Sequence, residues 1–169
     1  PKALRQHAEI KKKFYNDHSV HDWPRVTIQL PIFNERYVVE RLIQSVCQFD
    51  YPKELLEVQI LDDSTDETTE ISRERVEFYR EQGFDITLLH RVNRRGFKAG
   101  ALDEGMQVAK GEFIAIFDAD FVPPPDFLDT TIHFFTERNI GMVQTRWGHL
   151  NEKFSLITRV QSIFLDGHF

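Results

Sequence analysis

Apolar positions along the chain follow two rhythms. Short runs rich in β-branched and aromatic residues, Val26–Leu30, Val58–Leu61, Ile86–Leu89 and Phe113–Phe117, predict strands. Between them the spacing becomes helical. Val38, Val39, Leu42, Ile43 and Val46 predict a core-facing helix over 35–48, broken at Tyr51-Pro52. A long polar helix is predicted over about 67–82, ending near Gly83, and another over 98–109, ending before Gly111. A helix over about 125–138 and a strand near Gly141–Thr145 follow. Residues 2–15 read as a charged, weakly amphipathic helix with Leu4, Ala8 and Phe14 as apolar points, and Asp17–Pro24 as a connector. Pro31 is expected to stop the first strand.

Strand and helix alternate, which predicts an α/β fold: a mainly parallel sheet flanked by helices. The carboxyl ends of parallel strands share one rim, where open α/β sheets place ligands. Three predicted strands end there in polar clusters: Pro31-Ile32-Phe33-Asn34-Glu35, Asp62-Asp63-Ser64 and Asp118-Ala119-Asp120. The spacing therefore gathers Asn34, Glu35, Asp63, Asp118 and Asp120 around one crevice.

Asp118-Ala119-Asp120 follows what reads as a buried strand, and Pro123-Pro124-Pro125 then turns the chain out of the sheet. Paired carboxylates suit Mg2+ or Mn2+, which take oxygen ligands and share them with substrate phosphates. Solvated aspartates at a strand end are the plainer alternative. Ser64, Thr65 or Asp66 can cap the following helix, which leaves Asp63 free to turn inward and accept from a ligand N–H. Pro31–Glu35 either caps a helix through Asn34 or walls a nucleotide. Arg94, Arg95 and Lys98, with Gly96 and Gly100, place positive charge and close backbone approach before a helix, a natural anion site. The segment matches neither G-x-G-x-x-G nor a Walker loop. In Gln144-Thr145-Arg146-Trp147, Arg146 and Trp147 could line a sugar site, or the segment could serve as core and rim packing.

Composition narrows the field. The chain has 169 residues, 41% of them hydrophobic and 28% charged, which is ordinary for one compact domain. Its net charge of -6 argues against nucleic acid as a partner. No stretch reaches the roughly 18 apolar residues that span a bilayer. The single cysteine, Cys47, allows no internal disulfide and fits a reducing compartment. His18-x-x-His21 lacks a third ligand nearby, so zinc is disfavoured. Leu156, Val160, Ile163, Phe164 and Gly167 line one helical face that runs to the last residue, and the chain opens on Pro1. Both ends therefore read as cut, with the fold truncated at the C-terminus. The open apolar face of 155–169 is expected to drive self-association.

Taken in order, the motifs resemble the processive branch of family 2 glycosyltransferases: cellulose synthases and, more closely, the glucomannan synthase group. The residues that carry this are Gln29–Glu35, Leu61–Asp66, Gly96–Leu102, Ile116–Phe121, Val143–Trp147 and Leu165–Phe169. The resemblance covers residues 24–169, the donor-binding part of an incomplete domain, and leaves 1–23 as a helical extension and connector. It implies a GT-A, Rossmann-like fold. It implies a nucleotide-sugar donor, UDP-glucose or GDP-mannose, held by Pro31, Asn34, Glu35, Asp63, Lys98, Asp118 and Asp120. Asp120, with Asp118, would bind the divalent cation, and Gln144, Arg146 and Trp147 would lie on the acceptor side. It further implies inverting transfer to a growing β-linked polysaccharide, in a membrane-embedded protein whose catalytic domain faces the cytoplasm.

The chain departs from that family in lacking its Thr-Glu-Asp motif, so the general base is expected beyond Phe169 and the piece alone is expected to be inactive. Two other readings stay open: a sugar-phosphate nucleotidyltransferase, which the absence of glycine in Pro31–Glu35 disfavours, and a non-catalytic nucleotide-binding domain.

Overall fold

The computed structural model describes residues 8–14, 23–137 and 139–145. The chain divides into two compact units, Pro1–His133 and Phe134–Phe169.

The first unit is built on a parallel sheet of four strands: β1 (Val26–Ile32), β2 (Leu56–Asp62), β3 (Asp85–His90) and β4 (Phe113–Ile116). The sheet order is β3-β2-β1-β4, so the chain steps outward from β1 to β3 and then returns to the far side of β1. That reversal creates a topological switch point between the carboxyl ends of β1 and β4. The helices are α1 (residues 8–14), α2 (Val39–Val46), α3 (Thr68–Glu81), α4 (Phe97–Met106) and α5 (Phe127–Thr131). α3 packs on α2 and β3, whereas α4 packs on β1 and β2.

Alternation of side chains gives the two faces of the sheet different characters. Val26, Ile28, Leu30, Leu56, Val58 and Ile60 form one register set, each at most 2% exposed. With Leu42, Ile43 and Val46 of α2 they supply the apolar core. The other set is polar yet equally buried. Thr27 Oγ1 donates to Glu57 Oε2 at 2.6 Å, and Gln29 Nε2 donates to Gln59 Oε1 at 3.0 Å. Gly105 of α4 lies over this pair, where a Cβ would stand 2.5 Å from Gln29 Nε2.

Four sequence expectations change. Pro31 does not stop β1; it pairs in register with Leu61. Ile32 O accepts from Asp63 N and Gln29 O from Phe117 N, so alternate residues of β1 face β2 and β4. Pro31 therefore points its missing N–H toward β4, whose register with β1 ends at Gln29–Ile116. No ladder bond is lost. Second, β4 is half-buried, with Ile116 49% exposed, because among the described residues it pairs with β1 alone. Third, the helix expected over 125–138 is reduced to α5 and a 3-10 segment, Ile132–Thr136. Fourth, residues 141–145 form no strand, since among the described residues no partner offers them a ladder. The connector from 17 to 22 and the apolar helix of 155–169 lie outside the described residues. Among the described residues no helix is long and apolar enough to cross a membrane.

Candidate functional site

Every strand of the sheet is parallel, so the segments after β1, β2, β3 and β4 emerge on one rim. Asn34 takes a left-handed backbone, φ 55°, which asparagine tolerates better than most residues. Its amide N–H donates to Ser64 Oγ at 2.9 Å, and its side-chain Oδ1 accepts from Thr65 N at 2.9 Å. The β1 and β2 ends are thereby stitched together. Ser64 serves Asn34 in this way, and the residue before the α3 N-cap, Asp66, accepts from Thr68 N through Oδ1 at 3.0 Å. Hydrogen bonding to Thr68 holds the Asp66 carboxyl below its usual range. Glu35 is exposed, and its carbonyl accepts from Val38 N and Val39 N, leading into α2.

Asp62 and Asp63 turn to opposite faces. Asp62, wholly buried, accepts from Thr69 Oγ1 at 2.7 Å and Ser64 N at 3.0 Å, and lies 2.8 Å from His90 Nδ1. It locks β2, β3 and the start of α3. Asp63 faces the α4 side and meets a fork-on-fork guanidinium: Arg91 Nε at 2.7 Å and Nη2 at 2.6 Å. Both oxygens thus accept from Arg91. Arg91 also donates to Phe97 O at 3.0 Å, to Arg95 O at 3.3 Å and to Glu104 Oε1 at 3.2 Å. Its pKa is raised, first by the Asp63 hydrogen bonds. Arg94 lies 3.3 Å above the centroid of Phe33 and 3.8 Å from Asp63 Oδ2, a second cation on the same rim.

Across the switch point, Lys98 in the first turn of α4 forms an ion pair with Asp118 Oδ1. Both are about half-exposed, open to a ligand. Asp118 is anchored from below by Phe117, whose ring packs against Phe127 at 4.8 Å and Phe49 at 5.8 Å between centroids. Asp120 is exposed, one turn on, where Phe121 N donates to Asp118 O at 3.0 Å. Among the described residues no group of three His, Cys, Asp or Glu side chains could hold a metal by itself. Two carboxylates at a strand end instead fit a cation that draws its remaining ligands from phosphate and water.

The structure thus brings Pro31, Asn34, Asp63, Lys98, Asp118 and Asp120 to the rim of the first unit, with Glu35 at its outer edge. Gln144 is exposed and lies in the second unit; Arg146 and Trp147 lie outside the described residues. Sequence reading did not single out Arg91, Phe33 or Glu104. The available signal for Arg91 was its place directly after β3, one register step from Asp63.

A doubly wound α/β domain with a polar, charged rim at its switch point is the class that fold and site define. The model of glycosyl transferase family 2 matches residues 27–167, and the chain belongs to that family. Two relatives from Oryza sativa subsp. japonica are similar over most of it. Glucomannan 4-beta-mannosyltransferase 1 is 47% identical across 87% of this chain and 29% of its own length. Probable glucomannan 4-beta-mannosyltransferase 7 is 43% identical across 88% and 26%. The chain therefore spans less than a third of the curated relatives it matches. Among solved structures, the mannosyltransferase PcManGT from Pyrobaculum calidifontis, in complex with GDP-Man and Mn2+, superposes with TM-score 0.66 at 30% identity, over 82% of this chain and 41% of that one. TarS from S. aureus, in complex with UDP-GlcNAc, shares the fold with TM-score 0.54 at 24% identity, over 74% of this chain and 38% of that one. The GT-A architecture expected from the motifs is the one observed.

Proposed function

We propose that this chain forms the donor half of a glycosyl-transfer site, taking a nucleoside-diphosphate sugar together with a divalent cation. The carrying observation is the Lys98–Asp118 pair, which sets a cation from a helix N-terminus and a carboxylate from a strand end on either side of the switch point. A diphosphate would satisfy both: Lys98 and the first turn of α4 would donate to its oxygens, and Asp118 and Asp120 would hold the accompanying cation. A bound Mg2+ or Mn2+ would supply Lewis acidity toward the departing diphosphate. Asp63, Asn34 and Glu35, with Pro31 beneath them, form the wall for the nucleoside. The names of the relatives and the GDP-Man complex of PcManGT make mannosyl transfer from GDP-mannose the first case to test, ahead of UDP-glucose. Inverting transfer to a β-linked glycan at the cytoplasmic face of a membrane belongs to the same proposal. Its general base is unassigned, since no Thr-Glu-Asp occurs in the chain.

Calorimetric titration with GDP, GDP-mannose, UDP and UDP-glucose, each with and without Mn2+, tests the reading. The expected result is metal-dependent binding of a guanosine ligand that Asp120→Ala abolishes. Binding that ignores both the metal and Asp120 would refute the assignment.

A further inference from the structure

Arg91 lies between the two parts of this rim and is only 9% exposed. Its guanidinium binds both oxygens of Asp63 and also the carbonyls of Arg95 and Phe97. Those carbonyls belong to an unusual turn. Gly96 has φ 74°, and Phe97, which carries a Cβ, has φ 50°. Such a conformation in an aromatic residue persists only where the surroundings hold it. The Phe97 side chain cannot do so, because it is 65% exposed. Two backbone bonds close the turn, Phe97 N to Arg94 O at 2.9 Å and Gly100 N to Gly96 O at 3.0 Å; Arg91 adds the grip on the two carbonyls, and Gly100, lacking a Cβ, lets α4 approach Arg95 O and Arg91 Nη1. The next residue after the turn is Lys98, which reaches Asp118.

We propose that Arg91 is a positioning residue that couples the nucleoside side of the crevice to the diphosphate side. The Asp63 carboxylate fixes the guanidinium in plane, and the guanidinium fixes the positive-φ turn that aims Lys98 across the switch point. A lysine could supply the charge but not the fork that spans a carboxylate and two carbonyls. The inference rests on the donor-site reading above and deepens it. The competing account is a buried ion pair that serves stability alone.

The two accounts separate on a probe that never meets Asp63. Pyrophosphate with Mn2+ lacks a nucleoside, so its affinity reports the Lys98 side only. It is titrated calorimetrically, beside GDP with Mn2+, into the wild type, Asp63→Asn, Arg91→Lys, the double variant and Gly96→Ala, with a thermal melt of each. Coupling predicts that Asp63→Asn and Arg91→Lys each weaken pyrophosphate binding at least threefold. The double variant should lose no more than the stronger single one, the non-additivity of a shared unit. Gly96→Ala disturbs the same turn with the Asp63–Arg91 pair intact. It should weaken pyrophosphate and GDP by the same factor; if Arg91→Lys does not melt cooperatively, Asp63→Asn alone decides, since its pyrophosphate affinity must still fall at least threefold. Pyrophosphate affinity unchanged within twofold in the variants of Asp63 and Arg91, with only the melting temperature lowered, would overturn the coupling. A wild type that binds GDP and pyrophosphate normally while the two losses simply add would overturn it as well. A wild type that binds neither probe would instead sink the donor-site reading itself, and this proposal with it.

Discussion

Gly100→Ala sets two effects of opposite sign against each other. Gly100 is inside α4, and alanine is worth about 1 kcal/mol over glycine in a helix interior. Propensity alone therefore predicts a more stable protein. The structure predicts the reverse. A Cβ at this position would stand well inside van der Waals contact of Arg95 O, a backbone atom, and 3.0 Å from Arg91 Nη1. Arg95 O cannot swing aside as a side-chain tip would, because it is tied to the turn that Arg91 grips. Overpacking of this kind costs roughly 1–3 kcal/mol, toward the upper end when backbone must move. Net destabilisation should be about 1–2 kcal/mol, or a fall in Tm of roughly 2–8 °C for a chain of this size. Differential scanning calorimetry gives the answer directly. A Tm equal to or above that of the wild type would refute the steric argument and with it the tight turn that the argument assumes.

Three further outcomes follow from the same geometry. Asp62→Ala leaves the buried donors Thr69 Oγ1 and Ser64 N without an acceptor, at roughly 1–3 kcal/mol each, so urea denaturation should show a loss of about 3 kcal/mol; under 1 kcal/mol would contradict the role given to Asp62. Lys98→Ala removes a half-exposed ion pair worth about 0–1 kcal/mol, so Tm should barely move while affinity for Mn2+–pyrophosphate falls at least threefold, and equal effects on both would count against a ligand role. Burial pushes the Cys47 thiol up to about 12 and raises the Tyr51 hydroxyl as well, so between their unfolded and folded values the folded state keeps protons that the unfolded chain gives up. Stability present below about pH 9 is therefore lost as pH rises toward 12; urea midpoints should drop progressively above about pH 9, and Cys47→Ala should flatten part of that slope.

The four strands were legible because each is a run of four or five mostly apolar residues, two or three of them β-branched, between turn signals. What the pattern concealed depended on partners distant in sequence. Val26-Thr27-Ile28-Gln29-Leu30 alternates apolar and polar, which on an exposed sheet would mean one wet face. Here Thr27 and Gln29 are buried because Glu57 and Gln59 arrive in register on β2 and Gly105 closes over them. Pro31 looked like a stop because its missing N–H is harmless only where the neighbouring strand has already ended, and β4's end is set more than eighty residues later. Lys98 could be placed at the rim because basic residues and Gly96 lead into the helix that carries it, and Asn34, Asp63, Asp118 and Asp120 because polar residues directly after apolar runs land at carboxyl strand ends. Arg91 obeys the same rule, but a lone arginine opening a basic loop carries no mark of the carboxylate it faces.

The consecutive pairs after β2 and β3 show why both positions in each are charged or polar. Asp62 lies opposite His90 in the ladder, and Asp63 stands one step on, opposite Arg91. Because side chains alternate across a sheet, the first pair must fall on the α3 face and the second on the α4 face. Asp62 is sealed under helix α3 by Thr69, whereas His90, on the edge strand, is exposed. The second pair is buried on the α4 side, Asp63 at 3% and Arg91 at 9% exposed, with Arg94 and Phe33 crowding Asp63. Asp62→Ala should lower stability without changing relative affinity among nucleotides, whereas Asp63→Asn, which leaves the buried Arg91 guanidinium without its carboxylate, should lower stability and, on the donor-site proposal, change that relative affinity too.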